Sequence, residues 1–455
     1  MELDHDQQVK QAVQSLTDRL ENGQDDEFMT EFTALHDFEK GQVYAGFAEN
    51  IREVAWRVMD DETLATVFDN LEIDPDEIVD LLQEMPPQKG ANILMEMFAD
   101  NEADLFQAMP SRLVATYLAL MPNEEAQEIH SLIKYEEQTA GSLMATEYLA
   151  VQAGAKVKDV LAQVKKQAEE AESIIYVYVV DGQNRLVGIV SLRDLLTHPD
   201  EMTIESITNT RVISVKAGDD QKDVAQVVAD YNFFSIPVTN DGQHLLGIIT
   251  VDDIVDVIDE EAVEEYSGLA AVDVSDPDDS PWQSVLKRLP WLLALLVLGL
   301  VSTALVVAFE PTIRQAPILA AFIPLIAGTA GNAGTQSLAL AVRRFGNGSD
   351  RSVGQALVAE LIAAVTLAVI AGLLLAGIVY FWQGSRGLAV AVGLALAASI
   401  LVASLLAHIV PAVLEKMKVD PAVVNGPLVQ TVCDWLAILI YFAIAAGMLD
   451  GFVGK

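Results

Sequence analysis

The pattern of apolar and polar positions divides the chain into parts that predict different kinds of structure. In residues 1–147, Leu, Met, Ile and Ala recur at helical spacing. Met-Pro dipeptides occur three times, at Met85-Pro86, Met109-Pro110 and Met121-Pro122. Because proline cannot continue a helix that precedes it, this pattern predicts an all-α domain of short helices stacked into a small superhelix.

Residues 148–255 contain an internal repeat. The segment Val180–Asp194 matches the segment Thr239–Asp253, and the repeated Gly188 and Gly247 are 59 residues apart. In each copy, β-branched residues flank an Asp-Gly turn, and an acidic residue follows where a helix would begin. Each copy is therefore predicted to fold as strand, turn, strand and helix, which gives an α/β tandem pair.

An acidic segment follows the repeat and leads into a connection at residues 256–285. Between Asp252 and Glu265, apolar residues at helical spacing alternate with eight carboxylates, and no Lys or Arg lies within the run. Like charges repel at this spacing, and Mg²⁺ binds carboxylates while keeping several of its waters. The run is therefore either a solvated charged face or a cation sensor.

Residues 286–455 contain five long apolar stretches, at positions 289–309, 315–342, 361–385, 387–414 and 421–449. A helix needs about 20 apolar residues to cross a bilayer. The pattern thus predicts an α-helical membrane domain of five transmembrane helices in a lipid bilayer.

Charged residues beside the spans predict the orientation of the chain. Seven lie on the side of residue 280: Lys287, Arg288, Arg343, Arg344, Arg351, Lys416 and Lys418. Three lie on the other side: Arg314, Arg386 and Lys455. Because cytoplasmic loops carry the excess of Lys and Arg, we expect a cytoplasmic N-terminus and an external C-terminus. The first residues contain no basic region followed by an apolar run, so no cleaved signal peptide is expected.

Charge follows the same division. Residues 1–280 hold 17 basic and 59 acidic residues, a net charge of −42, whereas the remainder has a net charge of +3. This acidity excludes nucleic-acid binding by counterion release and makes cations the natural partners. Cys433 is the only cysteine, which excludes a disulfide framework or a cysteine-rich metal site.

Three polar side chains within the spans are candidates for an ion pathway. Asp434 lies about ten residues into the last apolar stretch, where a carboxylate costs roughly 2.5–3.5 kcal/mol and usually marks an ion or proton path. Asn332 and Gln336 are four residues apart in the second stretch and offer neutral oxygens on one helical face. Neutral oxygens and one carboxylate suit a hydrated divalent cation.

Irregular backbone is predicted just before the last span. The sequence there is Asp-Pro-Ala-Val-Val-Asn-Gly-Pro, which begins at Asp420 and includes Asn425 and Gly426. Freed backbone carbonyls at membrane depth need protein or water around them. In the other spans, Glu360 is expected to pair with Arg343 or Arg344, and His408 to be structural.

Together these features resemble a known family. The Leu-x-Gly-Ile-[Val/Ile]-[Ser/Thr]-x-x-Asp sequence in both repeats resembles tandem CBS domains. The order of superhelix, CBS pair, acidic helix and five spans, with Gly-Asn-Ala-Gly-x-Gln-Ser and Asp-Pro-Ala-x-x-x-Gly-Pro, resembles the MgtE magnesium channels and transporters. The resemblance implies a homodimer in a bacterial plasma membrane. It also implies a pore on the two-fold axis and a gate closed by cytoplasmic Mg²⁺ between the superhelix and the CBS pair.

The resemblance also implies roles for individual residues. Asp434 is the pore carboxylate, and Asn332, Gln336, Asn425 and Gly426 line the pathway. The implied Mg²⁺ sensor residues are Asp76, Asp80, Asp253, Asp256, Glu261, Glu264, Glu265 and Asp420. The implied ATP-binding residues are Tyr176, Arg193, Asp194, Phe233 and Asp253. Three positions depart from the family pattern, namely Ala330, Thr335 and Cys433, and these bear on ion preference.

The favoured function is a magnesium-selective, channel-like transporter. One alternative is a carrier for a wider set of divalent metals such as Mn²⁺ or Co²⁺. A CBS-regulated membrane enzyme is a second, but the spans lack the His-Glu-x-x-His and Gly-x-Ser-x-Gly patterns of zinc hydrolases and serine nucleophiles. A cation-sensing receptor is a third, and it would need no carboxylate within the membrane.

Overall fold

The computed structural model describes residues 2–71, 73–168, 171–272, 274, 280–346, 353–416 and 426–448. The chain divides into two compact units, residues 1–258 and 259–455. The first unit contains a helical domain followed by two small sheets, and the second contains long apolar helices. The predicted fold class, an all-α domain, an α/β tandem pair and an α-helical membrane domain, is confirmed.

Ten helices form the N-terminal domain. They are α1 (Glu2–Glu21), α2 (Asp25–Thr33), α3 (Asp37–Ala45), α4 (Glu49–Val58), α5 (Asp61–Asp69), α6 (Pro75–Gln83), α7 (Pro87–Glu96), α8 (Ala99–Ala108), α9 (Ser111–Leu118) and α10 (Asn123–Leu132). Helix α1 packs on α3, α3 on α5, α5 on α7 and α7 on α9, while α6 packs on α8 and α8 on α10. Contacts between alternate helices generate the predicted superhelix.

The three Met-Pro dipeptides begin helices as well as end them. Pro86, Pro110 and Pro122 occupy the position before the first residue of α7, α9 and α10, each with φ between −57° and −56°. Proline cannot continue the helix that precedes it, but its fixed φ and missing N–H suit the start of the next helix. The prolines therefore fix the residues at which these three helices begin.

Each repeat forms a three-stranded sheet with helices. The strands are β1 (Tyr148–Gln152), β2 (Ser173–Val180), β3 (Leu186–Ser191), β4 (Val215–Lys216), β5 (Ser235–Thr239) and β6 (Leu245–Thr250). The helices are α11 (Val157–Gln167), α12 (Leu192–Thr197), α13 (Gln221–Tyr231) and α14 (Val251–Ala270), with a short 3₁₀ helix at Ile204–Ser206. The sheet orders β1-β2-β3 and β4-β5-β6 both combine a parallel and an antiparallel pair.

The glycine of the repeated sequence is required for close packing. A Cβ at Gly188 would lie 2.0 Å from Cγ2 of Thr208, and a Cβ at Gly247 would lie 2.6 Å from the carbonyl oxygen of Ala145. The two repeats are also joined directly, because the buried hydroxyls of Tyr178 and Ser235 lie 2.9 Å apart. The repeated motif thus reflects packing as well as any ligand site.

Six helices are described in the second unit. They are α15 (Pro281–Ala308), α16 (Glu310–Gln315), α17 (Leu319–Gly346), α18 (Val353–Gln383), α19 (Arg386–Lys416) and α20 (Gly426–Gly447). Among the described residues, four helices are long and apolar enough to cross a membrane: residues 281–308, 354–383, 386–414 and 426–447. Helix α17 has 28 residues but is less apolar than these four, because Gly, Thr, Asn and Gln occupy its middle. The five-span count therefore stays a prediction.

Helix α17 is central to the second unit because it packs on both α19 and α20. Helix α18 packs on α19, and α15 packs on α20 without burying any of its own residues. Two aromatic contacts anchor α20: Phe442 stacks on Phe309 at 4.7 Å, and the Tyr441 hydroxyl donates a 2.8 Å hydrogen bond to the Leu319 carbonyl. Helix α20 is thereby fixed along the small residues of α17.

Candidate ion pathway and cation site

Glycines on α17 allow α20 to bring Asp434 against the α17 backbone. A Cβ at Gly331 would lie 2.7 Å from Oδ1 of Asp434, and a Cβ at Gly334 would lie 2.7 Å from Sγ of Cys433. Asp434 is partly exposed, and its Oδ1 atom has no hydrogen-bond partner among the described residues. This carboxylate oxygen at membrane depth is thus buried against Gly331 without a hydrogen-bond partner among the described residues.

The predicted amide residues lie on an open face of the same helix. Asn332 and Gln336 are both exposed on α17, and Asn332 directly follows the glycine that Asp434 approaches. Gln430 on α20 also lies beside Gly331, with its Cγ 3.0 Å from the position a Cβ would take. The two amides and the carboxylate therefore lie on two helices that pack against each other, and their role in an ion pathway stays a prediction.

The end of the acidic helix meets the start of α20. A Cβ at Gly426 would lie 2.8 Å from the carbonyl oxygen of Leu269, which is in the last turn of α14. Both residues belong to the second unit. Asp420 and Asn425, which the sequence assigns to the segment before α20, lie outside the described residues. Gly426 thus provides a direct contact between α14 and the helix that carries Asp434.

The sequence-predicted sensor residues are mostly on the surface. Asp76 and Asp80 lie on the exposed side of α6. Along α14, Asp256 and Glu264 are exposed, whereas Asp253, Glu261 and Glu265 are partly buried. Their roles as cation ligands stay predictions.

The structure adds an acidic junction that the sequence analysis missed, where the helical domain meets the CBS pair. It comprises Asp69, Asp100, Glu102, Glu147, Glu172 and Asp253. Glu147 ties the end of the helical domain to α8, since its carboxylate accepts a hydrogen bond from the backbone N–H of Ala99 at 3.2 Å, as well as one from its chain neighbour Thr146 at 2.9 Å. Because Ala99 begins α8, Glu147 also satisfies an N–H at the start of that helix.

Burial and mutual repulsion raise the pKa values of this acidic junction. Burial raises the pKa of Asp100 well above its usual range, and the negative charges of Asp253 and Glu172 raise it further. Burial and the charge of Asp253 raise the pKa of Glu172 to about 8. Burial raises the pKa of Asp253 to about 6, although hydrogen bonds from Thr250 act in the opposite direction. Asp100 is thus an N-domain carboxylate on which the charge of Asp253 acts.

A pattern in α8 could have identified Asp100. Asp100 and Glu102 are only 8% and 6% exposed, and they share α8 with the buried Ala103 and Phe106. Acidic side chains on the apolar face of a helix are rarely buried without a charge partner. What the sequence could not give was the identity of the residues that face them.

The acidic junction has the donor chemistry that Mg²⁺ prefers. Carboxylate oxygens bind Mg²⁺ while the ion retains several waters. Among the residues that the structure describes, no three His, Cys, Asp or Glu side chains converge closely enough to enclose a metal ion. Within the described residues, the acidic junction thus supplies carboxylate oxygens but no preformed site for a bare metal ion.

The predicted nucleotide residues fall into two groups, one in each repeat. In the first, Ser191 Oγ donates a 2.6 Å hydrogen bond to Oδ2 of Asp194 at the start of α12, and Tyr176 lies opposite Ser191 across the β2–β3 pair. Arg193 is exposed beside them.

In the second repeat, Thr250 Oγ1 donates a 2.6 Å hydrogen bond to Oδ2 of Asp253, and Phe233 stacks on Tyr231 with ring centroids 5.4 Å apart. Asp253 belongs to the acidic junction, whereas Asp194 does not. The equivalent positions of the two repeats thus lie in different electrostatic surroundings.

The raised pKa values make stability depend on pH when divalent ions are absent. Between about pH 4.5, the unfolded value of Glu, and about pH 8, the folded protein binds more protons than the unfolded chain, so its stability falls as pH rises. Substitution of Asp100 by Asn removes one buried acid. In EDTA, Asp100→Asn should therefore raise the free energy of unfolding by about 1 kcal/mol more at pH 8 than at pH 5.

Thermal unfolding of the detergent-solubilised protein at both pH values measures this effect. Asp159→Asn, which neutralises an exposed acid on α11, is the matched control and should not change the pH dependence. An equal gain at pH 5 and pH 8 from Asp100→Asn would contradict the assignment.

Comparisons with known proteins agree with this architecture. Family models match the MgtE intracellular N domain at residues 35–138, CBS domains at residues 140–201 and 204–260, and the MgtE divalent cation transporter domain at residues 323–444. The magnesium transporter MgtE of Enterococcus faecalis is 43% identical over 449 residues, which cover 98% of this chain and 99% of that protein.

Two solved structures are similar to the first unit. The crystal structure of the soluble part of a magnesium transporter is 45% identical, with a TM-score of 0.55 over 56% of this chain and 99% of that one. The cytosolic domain of the Mg²⁺ channel MgtE in complex with ATP is 32% identical, with a TM-score of 0.50 over 54% of this chain and 99% of that one. On the strength of a near full-length relative and of models that match each predicted domain, the chain belongs to the MgtE family of magnesium transporters.

Proposed function

We propose that this protein carries Mg²⁺ across the membrane along a path that contains Asp434, Asn332 and Gln336, and that cytoplasmic Mg²⁺ gates it. The observation that supports this most directly is the position of Asp434, whose Oδ1 atom lies against Gly331. A carboxylate that no basic side chain of the described residues neutralises, on a helix that packs against the one carrying the two exposed amides, attracts a divalent cation. Because Mg²⁺ dehydrates reluctantly, neutral oxygens suit a partly hydrated ion.

The ion pathway is open on one side in the single chain, and we propose that a second copy of the chain encloses that side. Asn332 and Gln336 are exposed in the single chain, and α15 buries none of its residues. In the first unit, large apolar side chains are exposed around the CBS helices: Leu196 is 68% exposed, Tyr231 58% and Phe234 55%. Exposed apolar side chains of this size favour association. A homodimer would cover them and place two Asp434 carboxylates near one axis.

The orientation expected from the loop charges belongs to the same proposal. The seven basic residues flanking the spans on the side of residue 280, against three on the other, support a cytoplasmic first unit and an external C-terminus. We place the protein in a bacterial plasma membrane. In this orientation the acidic junction senses the cytoplasmic concentration of the transported ion.

Gating in this proposal starts from the repulsion within the acidic junction. Without divalent ions, Asp100, Glu172 and Asp253 oppose the approach of the helical domain to the CBS pair. Mg²⁺ bound there favours the compact arrangement through its higher affinity for that state. Helix α14 begins beside this junction at Val251 and ends where Leu269 touches Gly426, so a shift of α14 acts on the helix that carries Asp434.

Transport of a broader set of divalent metals remains the alternative within this family. The matched family model is for divalent cation transporters in general, and the chain carries a cysteine, Cys433, directly before Asp434, with its sulfur buried against Gly334. Sulfur ligands favour softer ions than Mg²⁺. Competition by Mn²⁺ or Co²⁺ in an uptake assay distinguishes the two functions.

Removal of the pore carboxylate tests the pathway. Asp434→Ala should reduce Mg²⁺ uptake to the background of a strain without the protein, because no other carboxylate on the open face of α17 and α20 within the described residues replaces it. Uptake is measured in reconstituted vesicles with an Mg²⁺-sensitive dye.

Ala437→Ser, a small change one turn away at a buried position of α20, is the control for disturbance of the helix and should keep most of the activity. Gel filtration should show that Asp434→Ala retains its oligomeric state. Transport by Asp434→Ala at the wild-type rate would remove Asp434 from the pathway.

Cation-dependent compaction tests the sensor. We expect a fragment of residues 1–272 to become more compact and more protease-resistant at millimolar Mg²⁺, because the ion offsets repulsion at the acidic junction. Potassium at the same ionic strength should protect less, since it supplies only screening. Limited proteolysis and small-angle scattering measure the change.

The double variant Asp100→Asn, Asp253→Asn should lose most of the Mg²⁺ effect, whereas the exposed Asp159→Asn should retain it. A fragment of this kind is reasonable because the soluble part of a related transporter crystallised alone. Equal protection by potassium would show that screening alone explains the compaction and that the acidic junction is not a Mg²⁺ sensor.

We further propose that the first repeat binds ATP. The related cytosolic domain was solved in complex with ATP, and here Tyr176, Arg193 and Asp194 lie together at the start of α12. Arg193 favours phosphate and Asp194 can accept from ribose hydroxyls. Phe233 and Asp253, in the second repeat, complete the proposed set, although the acids around Asp253 disfavour phosphate there.

Calorimetry tests nucleotide binding. Fragment 1–272 should release heat with ATP, and Asp194→Ala should weaken the affinity at least tenfold, the worth of one charged hydrogen bond or about 1.5 kcal/mol. Asp230→Ala on α13 is the exposed control. Absence of heat with ATP, both with and without Mg²⁺, would end the proposal.

A further inference from the structure

Three helices of the second unit meet at a buried polar cluster that the proposed pathway does not include. We call it the Glu360 cluster: Ser337 on α17, Glu360 on α18 and His408 on α19, which are 5%, 8% and 0% exposed. Ser337 Oγ donates a 2.6 Å hydrogen bond to Oε1 of Glu360, and Nδ1 of His408 lies 3.9 Å from Oε2. Each helix contributes one polar side chain.

These contacts replace the pairing expected from the sequence. Glu360 was expected to pair with Arg343 or Arg344, but it lies against Ser337 and His408. The Arg344 guanidinium instead donates to the carbonyl oxygen of Ala356 at 3.5 Å. His408 also has a carboxylate beside it, although none is near it in sequence.

Small residues one helical turn away hold the cluster in place. Ala341, Ala356 and Ala412 are buried against one another, one from each of the same three helices. Each is four residues from a member of the Glu360 cluster, so the two layers are adjacent along α17, α18 and α19. Because alanine side chains are small, they allow the three helices to pack closely at this level. The neighbouring polar side chains therefore have little space for other conformations.

The Glu360 cluster is well placed to control the rotation of α17. Ser337 directly follows Gln336 and is five residues after Asn332, on the helix whose exposed face carries both amides. A rotation of α17 that breaks the bond to Glu360 would also turn Asn332 and Gln336. Helix α17 also packs against α20, where Gly331 and Gly334 allow close contact between the two helices.

We propose that Glu360 is a positioning residue for ion selectivity. By accepting the hydrogen bond of Ser337 and lying against His408, it fixes α17 so that Asn332 and Gln336 face the pathway beside Asp434. A carboxylate within a membrane domain is costly and is usually kept for function. This inference rests on the proposed pathway, and it concerns residues that do not touch the ion.

Hydrogen-bond variants test this inference. Ser337→Ala and Glu360→Leu remove the bond, whereas Glu360→Gln keeps an oxygen that can accept it. We measure initial rates of Mg²⁺ and Co²⁺ uptake into reconstituted vesicles, each normalised to folded protein determined by gel filtration. Ser337→Ala and Glu360→Leu should lower the ratio of Mg²⁺ to Co²⁺ uptake about tenfold, the effect of one buried hydrogen bond, and Glu360→Gln should restore it to within about threefold.

Ser399→Ala is the matched control. Ser399 is a buried serine of α19 whose hydroxyl has no hydrogen-bond partner among the described residues, so the same atom is lost without breaking a contact between helices. Its uptake ratio should equal that of the wild type. If Glu360→Leu does not fold, the comparison of Ser337→Ala with Ser399→Ala carries the test.

Three outcomes would overturn the inference. Uptake of both ions could fall equally with an unchanged ratio, which would indicate a structural role only. Glu360→Gln could fail as severely as Glu360→Leu, which would show that the charge and not the hydrogen bond matters. Ser337→Ala could match the wild type. Asp434→Ala tests the proposed pathway separately. Its total Mg²⁺ uptake shows whether Asp434 belongs to the pathway, whatever the ratio of Mg²⁺ to Co²⁺ uptake is in the Ser337 and Glu360 variants.

Discussion

Carboxylates that no basic side chain neutralises recur in both units of this protein, and much of the structure is organised around them. Among the described residues, no Lys or Arg pairs with Asp100, Glu172 or Asp434. In water such groups would be solvated at little cost, but burial raises the free energy of their charged form. A proton or a mobile cation can neutralise them, and in the proposed gate the binding of a cation links the protein's stability to the concentration of that ion.

The two units use this constraint differently. In the first unit, acids from a superhelical domain and from a CBS pair act on one another, and Glu147, at the end of the helical domain, accepts a hydrogen bond from the backbone of α8. In the second unit, Asp434 lies against the backbone of α17. In the proposed function, the same chemical group serves for sensing in the first unit and for ion passage in the second.

Close approach of backbones determines where these carboxylates lie. Gly331 admits Asp434, Gly426 admits the carbonyl of Leu269, and Gly247 admits that of Ala145. At each position a methyl group would come within 2.8 Å of a neighbouring atom. The glycines therefore fix helix and strand spacing at the points on which the proposed pathway and gate depend.

The sequence by itself determined the order of the domains, the repeat, the acidic helix and the chemistry of Asp434, Asn332 and Gln336. These features follow from periodicity, turn residues and charge, which act between neighbours in the chain. Only the tertiary structure decided that Asp100 faces Asp253 and that Glu360 lies against Ser337 and His408. Those partners are separated by 23 to 153 positions in the sequence, and helix packing, which local patterns do not specify, brings them together.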